Sequence, residues 1–461
     1  MNHILYFIII YLTSIIKNTS NEKIVFAWQM HRHGTRAPIF GIINGTDIYQ
    51  EKWDKLPGEL TETGKRMLYL LGVKSRKRYI EQFNLLSKNY NPQEIYIRST
   101  DVNRTIESVE SYLQGLYPPG NGPTIKENVR NDINRSYPPN IKYKEKFESI
   151  INFYNLNNNG MALPYGISIE PIHLFYKPRH EFQLYDTNIC IGHKEKYEQQ
   201  KNSKIIRDFS NKFLEDFGYM LYDIEDTNNK TFLYDYWTNY NYTDGFVCDE
   251  AEAKKFNFLV EQYGFEIYKF DLFRNYSKEF IWLDYYYTTY PEGYYNILIV
   301  ANTHTMRSIV NWMEKAIDGF EKKENYLKFV IYSAHDSSIA ALEHYMEYAF
   351  GTSIEFCDFG ESRFFELYLD EENIYKVRYL KGDTTEKINM DFNKFKEVIS
   401  KKTWNEDKIN EFCQFDNNHQ EKDKPKEQKK EGNTIYIVIM IILIIINIIF
   451  FILIILIYFR K

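Results

Sequence analysis

Three apolar runs punctuate the chain, and each hands over to polar residues. Ile24-Val25-Phe26-Ala27-Trp28, Glu94-Ile95-Tyr96-Ile97 and Phe329-Val330-Ile331-Tyr332 have the look of buried strands. After the second run, Ser99-Thr100-Asp101 offers helix-capping side chains, and Ile106, Val109, Leu113 and Leu116 recur at helical spacing until Pro118-Pro119-Gly120 ends the helix. After the third, Ser333-Ala334-His335-Asp336 leads into a helical stretch from Ser338 onward. Strands alternating with helices predict an α/β fold, a doubly wound and mostly parallel sheet flanked by helices. In such sheets ligands bind beyond the carboxyl ends of the strands, so Arg32 to Arg36, Arg98 and His335-Asp336 are expected to converge.

The pattern changes between about residues 121 and 290, which are Tyr- and Asn-rich with few clear strands, and predict an inserted, mainly helical cap. Tyr294 to Trp312 is apolar enough for a strand or a buried helix, and periodicity alone does not choose. Phe364 to Leu369 and Tyr375 to Leu380 alternate around Asp370-Glu371-Glu372-Asn373 and predict a hairpin.

Both ends carry longer apolar blocks. Ile4 to Ile16 suits the core of a secretory signal and is too short to span a bilayer, giving a signal over residues 1–20; a buried N-terminal helix is the alternative. Thr434 to Phe459 is uncharged and, at about 26 residues, longer than the roughly 20 needed to cross the hydrocarbon, so it predicts a single transmembrane helix. Arg460-Lys461 orients that helix with its end in the cytoplasm and the bulk of the protein outside. A lipid-anchor signal at Gly432 or Asn433 is the competitor, and the basic end argues against it. The expected organisation is a domain over 22–414, a polar stalk over 415–433, a transmembrane helix over 434–459 and a tail of 460–461.

Composition narrows the class. With 44% hydrophobic and 26% charged residues the chain is globular, and a net charge of −6 gives no case for a nucleic-acid partner. Asn44, Asn103, Asn134, Asn229, Asn241 and Asn275 each open an Asn-x-Ser/Thr sequon, in keeping with an extracytoplasmic location. Cys190, Cys248, Cys357 and Cys413 lie on the same side of the predicted membrane span. Two disulfides in any of three connectivities, or free buried thiols, would account for them.

In Arg32-His33-Gly34-Thr35-Arg36 two guanidiniums flank a histidine, and the glycine lets backbone come close. Arginine suits bidentate phosphate contacts. A neutral imidazole is a competent nucleophile, and nearby positive charge keeps it neutral in mildly acidic solution. Arg98 could supply a third cation, or pair structurally with Asp101. His335 could bind a phosphate oxygen, while Asp336 could protonate a leaving alcohol or simply cap a helix.

Arg32-His33-Gly34-Thr35-Arg36-Ala37-Pro38 resembles the RHGxRxP signature of the histidine acid phosphatases, the lysosomal and prostatic branch. Gly58-Glu59-Leu60-Thr61-Glu62-Thr63-Gly64 resembles the family's G-x-L-T-x-x-G segment. Tyr96-Ile97-Arg98-Ser99-Thr100-Asp101-Val102-Asn103-Arg104-Thr105 resembles its second signature and Tyr332-Ser333-Ala334-His335-Asp336 its third, so the likeness runs over roughly Lys23 to Phe412. The resemblance implies an α/β domain with a helical insertion, and favours a helix for Tyr294 to Trp312. It implies hydrolysis of phosphate monoesters with no cofactor and no metal: His33 as the phosphorylated nucleophile, Arg32, Arg36, Arg98 and His335 as phosphate ligands, and Asp336 as proton donor. It also suggests disulfides Cys190–Cys413 and Cys248–Cys357. The expected setting is a single-pass membrane protein, as a monomer or homodimer, facing the exterior or a lysosome-like lumen. Asn103 departs from the acidic residue often found there and places a sequon beside the site, where a glycan would crowd the entrance.

Three rivals are weighed against this reading. Phytase-like action on inositol phosphates would want a more basic cap. A metal site built from His31, His33, His304 and His335 lacks completing carboxylate or cysteine spacing, and His304 reads better as a packed histidine. A membrane-tethered binding protein without turnover does not account for every expected catalytic position being filled.

Overall fold

The computed structural model describes residues 22–39, 53–130, 160–174, 190, 244–253 apart from 246, 295–382 and 385–414, together with scattered positions in 203–215 and Asn275 and Lys278. The chain divides into Met1–Cys413 and Gln414–Lys461. The expected signal, most of the cap, the stalk, Thr434 to Phe459 and the tail lie outside the described residues. Among the described residues no helix is long and apolar enough to cross a membrane.

A seven-stranded sheet organises the first unit. Its strands are β1 (Lys23–Arg32), β2 (Ile95–Ser99), β3 (His173–Leu174), β4 (Phe329–Ala334), β5 (Ser362–Leu369), β6 (Tyr375–Lys381) and β7 (Thr385–Asp391). Their order across the sheet is β3-β2-β4-β1-β5-β6-β7. The sheet is α/β as expected but is mixed rather than mostly parallel: β3, β2, β4 and β1 pair in parallel, and β1, β5, β6 and β7 pair antiparallel. The reason is connection length. β5 and β6 are joined by the predicted turn, in which the Asp370 carboxylate accepts from the Glu372 and Ile374 amides, and a link that short can only reverse the chain.

The alternation within each strand splits its side chains between two layers. Val330, Tyr332 and Ala334 of β4, with Trp28, Phe365 and Tyr379, face one core. That core is closed by α3 (Tyr295–Lys322), α4 (Asp336–Phe350) and α5 (Phe392–Lys402). The ambiguous segment at Tyr294 to Trp312 is therefore a helix, covering the sheet with Met306, Ile309 and Met313. Phe329 and Ile331 face the opposite core, closed by α1 (Glu62–Ser75) and α2 (Asn103–Leu116). Each layer also encloses a charge on β5: Glu366 accepts from Arg78, Arg378 and Tyr79, and Arg363 pairs with Glu343. Such buried charges persist only because their partners are buried with them.

α1 and α2 approach closely because two glycines meet at their crossing. A Cβ on Gly72 would lie 2.0 Å from the Tyr112 carbonyl oxygen, and one on Gly115 would lie 2.1 Å from that of Tyr69. Gly115→Ala should therefore destabilise the protein by about 1–3 kcal/mol through overpacking, even though alanine gains about 1 kcal/mol in helix propensity. Thermal unfolding checks this: a melting temperature equal to or above that of the wild type would show that the helices can part at no cost.

Candidate active site

Three strand ends build the floor of the site. The register pairs Arg32 with Ala334 across β1 and β4, and Ser99 with Ser333 across β2 and β4. The residues that follow, His33, His335 and Thr100, therefore emerge side by side. The His33 amide donates to the Ala334 carbonyl at 3.0 Å, and the Thr100 amide to that of Ser333 at 3.2 Å. The N-termini of α2 and α4 both open onto this edge, where helix ends favour anions.

The loop after β1 is held from several sides. Ala37 donates to Glu59 and Thr61 to Thr35 through the backbone, stitching the loop to the Gly58–Gly64 segment. Ser108 of α2 accepts the Gly34 amide at 3.2 Å. A Cβ on Gly34 would stand 2.4 Å from the Gly64 carbonyl oxygen, and one on Gly64 2.3 Å from that of Thr35, so two motifs distant in sequence meet backbone to backbone. On the far side, Arg32 donates its amide to Glu361, and Gly360 donates to His33.

His33 is buried, and its Nδ1 lies 2.8 Å from the Gly34 carbonyl oxygen. A carbonyl can only accept, so Nδ1 carries the hydrogen and Nε2 keeps its lone pair. Burial holds the ring well below the ordinary histidine value, and Arg32, Arg36, His335 and Arg104 push it further down. His335 stands edge-on to it with ring centroids 5.5 Å apart. Arg104 approaches the His335 Nδ1 at 3.4 Å, which leaves the Nε2 hydrogen for the Thr100 hydroxyl at 3.1 Å. Burial, then Arg104, lowers His335 to about 3 against the opposing effect of Asp336.

Carboxylates hold two of the guanidiniums. Arg32 pairs with Asp336 at 2.6 Å, donates to the Cys357 carbonyl at 2.7 Å and lies 4.0 Å over the Phe359 ring. Arg36 pairs with Asp244 at 2.7 Å. Arg104 is lowered to about 10 by burial and by the neighbouring Arg36.

Of the expected site residues, His33, Arg32, Arg36, His335 and Asp336 come together. Arg98, inside β2, hydrogen-bonds Tyr332, while Arg104, in the first turn of α2 over the strand end, is among the charges that depress His33. Arg104 lies within the second signature, and its place in the first turn of the helix is the signal that marks it. Thr100 does not cap α2, whose cap is Val102; its hydroxyl serves His335. Asp244, Phe359 and the 357–361 loop carry no readable signal in the sequence. His31 is buried behind the loop, stacked on Tyr112, and His304 pairs with Glu406, so neither faces His33. Among the described residues no cluster of three or more His, Cys, Asp or Glu side chains is arranged to hold a metal.

Cys190 is bonded to Cys413. The expected second bridge is not formed: Cys248 and Cys357 are separate buried thiols. Cys248 Sγ accepts from Arg36 at 3.4 Å and Cys357 Sγ donates to the Asp358 carbonyl at 3.5 Å, so each sulfur is engaged apart from the other. Burial pushes both thiols up, Cys357 to about 12, and so keeps them protonated. Asn103 and Asn275 are exposed, and the other four sequons lie outside the described residues.

Residues 23–142 match the family described as Histidine phosphatase superfamily (branch 2). Lysosomal acid phosphatase of Xenopus laevis is 39% identical over 119 residues, 26% of this chain and 26% of that protein. Lysosomal acid phosphatase of Rattus norvegicus is 41% identical over 95 residues, 20% of this chain and 21% of that protein. The alignments thus span about a quarter of these relatives' length. A phytase structure from Citrobacter braakii is 13% identical, with a TM-score of 0.51 over 84% of this chain and 99% of that one, a likeness of fold alone. His335 and Asp336 lie beyond the matched segment and reach the site through the sheet.

The protonation of His33 can be read directly. A lowered value means the ring binds its second proton only at a pH well below 6.5, so at pH 5, where an ordinary histidine is mostly charged, His33 should remain neutral with its hydrogen on Nδ1. The ¹⁵N imidazole shifts at pH 5 check this, and a doubly protonated ring would refute it.

Proposed function

We propose that the chain hydrolyses phosphate monoesters through a phosphohistidine formed on His33. The observation that carries this reading is a buried His33 with its hydrogen on Nδ1 and its lone pair on Nε2, held neutral by burial and by the charges of Arg32, Arg36, His335 and Arg104. Phosphoryl transfer asks mainly for positioning and for neutralisation of oxygen charge. The guanidiniums supply both.

In the first step the Nε2 lone pair attacks phosphorus, the P–O bond to the alcohol breaks, and Asp336, protonated from acidic solvent once phosphate has displaced it from Arg32, gives that proton to the departing oxygen. A phosphate entering between Arg32 and His335 would take over the Arg32 contact and let Asp336 turn to face that oxygen. The hydrogen that His335 shares with Thr100 is the one it would offer a phosphate oxygen. In the second step water attacks the phosphohistidine, Asp336 takes its proton, and the P–N bond breaks to return neutral His33 and phosphate. In this reading Arg104, among the charges around His33, serves as a phosphate ligand ahead of Arg98.

The lysosomal acid phosphatases among the relatives support a lysosome-like lumen as the working compartment. The signal, stalk and single transmembrane helix read from the sequence complete that picture. Likeness of fold to a phytase does not favour inositol phosphates.

Two experiments on the full chain in mild detergent test the reading. His33→Ala should lower kcat on p-nitrophenyl phosphate at least a thousandfold, on the order seen when an enzyme loses its nucleophile; equal activity would sink the nucleophile. Arg104→Ala should raise KM on the order of tenfold to a hundredfold, as for a lost charge-assisted hydrogen bond, whereas Arg98→Ala should leave it within a few fold. The reverse ranking would return Arg98 to the phosphate site.

A further inference from the structure

Arg36 is gripped by residues more than two hundred positions away in the chain. The segment 244–253 is helical at 244–245 and 247–251, and Asp244, Cys248 and Glu252 recur every four residues, the spacing of one helix face. All three reach the loop after β1. Glu252 accepts from the hydroxyls of Thr35 at 2.6 Å, Thr61 at 2.5 Å and Thr63 at 2.8 Å. Cys248 lies 3.4 Å from Arg36 Nη1. Asp244 is buried, with Oδ1 2.7 Å from Arg36 Nη2 and Oδ2 3.3 Å from Nη1, and Oδ2 also accepts the Ile39 amide at 2.8 Å.

A carboxylate on an anion-binding arginine can act in two opposite ways. It can compete with the phosphate for the guanidinium, or it can turn the guanidinium so that its remaining donors are ready. The donor count separates them. A guanidinium offers an end edge, Nη1 with Nη2, and a side edge, Nε with the second Nη2 hydrogen, and either suits a bidentate oxyanion. Asp244 takes the end edge, and Nη1 is further engaged by the Ala37 carbonyl at 3.1 Å. Nε is buried and has no partner among the described residues. A buried N–H left without a partner is costly, and an oxyanion would satisfy it. The Nε of Arg104, the guanidinium that helps depress Arg36's neighbour His33, is also buried without a partner among the described residues. The charge balance points the same way, because Asp244 offsets one of the cations crowded around His33.

We infer that Asp244 is the positioning residue of the phosphate site, taking the end edge of Arg36 and reserving its Nε side edge for a phosphate oxygen. This rests on the phosphatase reading above. Asp244 does not touch the substrate; it acts through Arg36.

The test uses the full chain with inorganic phosphate as ligand, measured by calorimetry, alongside p-nitrophenyl phosphate kinetics. Asp244→Ala should weaken phosphate binding on the order of tenfold to a hundredfold and raise KM in parallel. Asp244→Asn keeps one oxygen to receive an Nη2 hydrogen and should recover part of that loss, a rescue that general loosening of the fold would not give. Phosphate bound by either variant as tightly as by the wild type, or more tightly, would overturn the inference and make Asp244 a competitor of the substrate. Where the alanine variant does not fold, the asparagine variant decides, with at least a threefold weakening expected. A wild-type chain that neither binds phosphate nor turns over ester would overturn the phosphatase reading itself. A wild-type chain that does both beside an unaffected Asp244→Asn would overturn only the role of Asp244.

Discussion

The structure depends on keeping like charges together around one neutral ring. Arg32, Arg36 and Arg104 stand about His33, and His335 stands against it, in a site where burial strengthens every repulsion. Left alone, such a cluster would pull apart or fill with water. Asp336 and Asp244 offset two of the cations from separate parts of the sequence, and the helix ends of α2 and α4 ready the same edge for an anion. The electrostatic strain that remains falls on the histidine, where it is useful. A ring that resists a second proton stays a nucleophile in acid.

Packing serves this arrangement. The mixed sheet brings the ends of β1, β2 and β4 into line, and its antiparallel half starts with β5, whose preceding loop closes the wall beside Arg32. The glycines of the two N-terminal motifs let the loop after β1 lie directly on the start of α1, so the loop's position is set by main chain. Main chain shifts less than side chains do, which suits a site that must hold its donors in place.

Much of this was legible in the residues themselves. The strand-to-loop grammar located the sheet's working edge, because an apolar run that ends in charged residues marks where a buried strand leaves the core. The three signatures named His33, Arg32, Arg36, His335 and Asp336, which the fold brings together. Arg98 lies inside β2 and Arg104 above the strand end, and a sequence, which places a residue along the chain and not on one side of a strand, does not separate the two. Asp244 and Phe359 were beyond reach for another reason. Each gains its role from a contact made across more than two hundred residues, which no local spacing announces. The mixed pairing of the sheet was visible only in part, since a predicted hairpin shows that two strands are antiparallel without showing which strand they join.

The position of β4 sets the order in which the protein can come together. β1 and β2 are separated by some sixty residues in sequence, yet they are not neighbours, because β4 lies between them. A growing chain that has just completed the matched segment 23–142 holds two parallel strands with a missing rung. Nearly two hundred more residues must follow before that rung is filled. Contacts so far apart in sequence form slowly and leave strand edges open meanwhile. His33 therefore meets His335 late, once the middle of the sheet has closed.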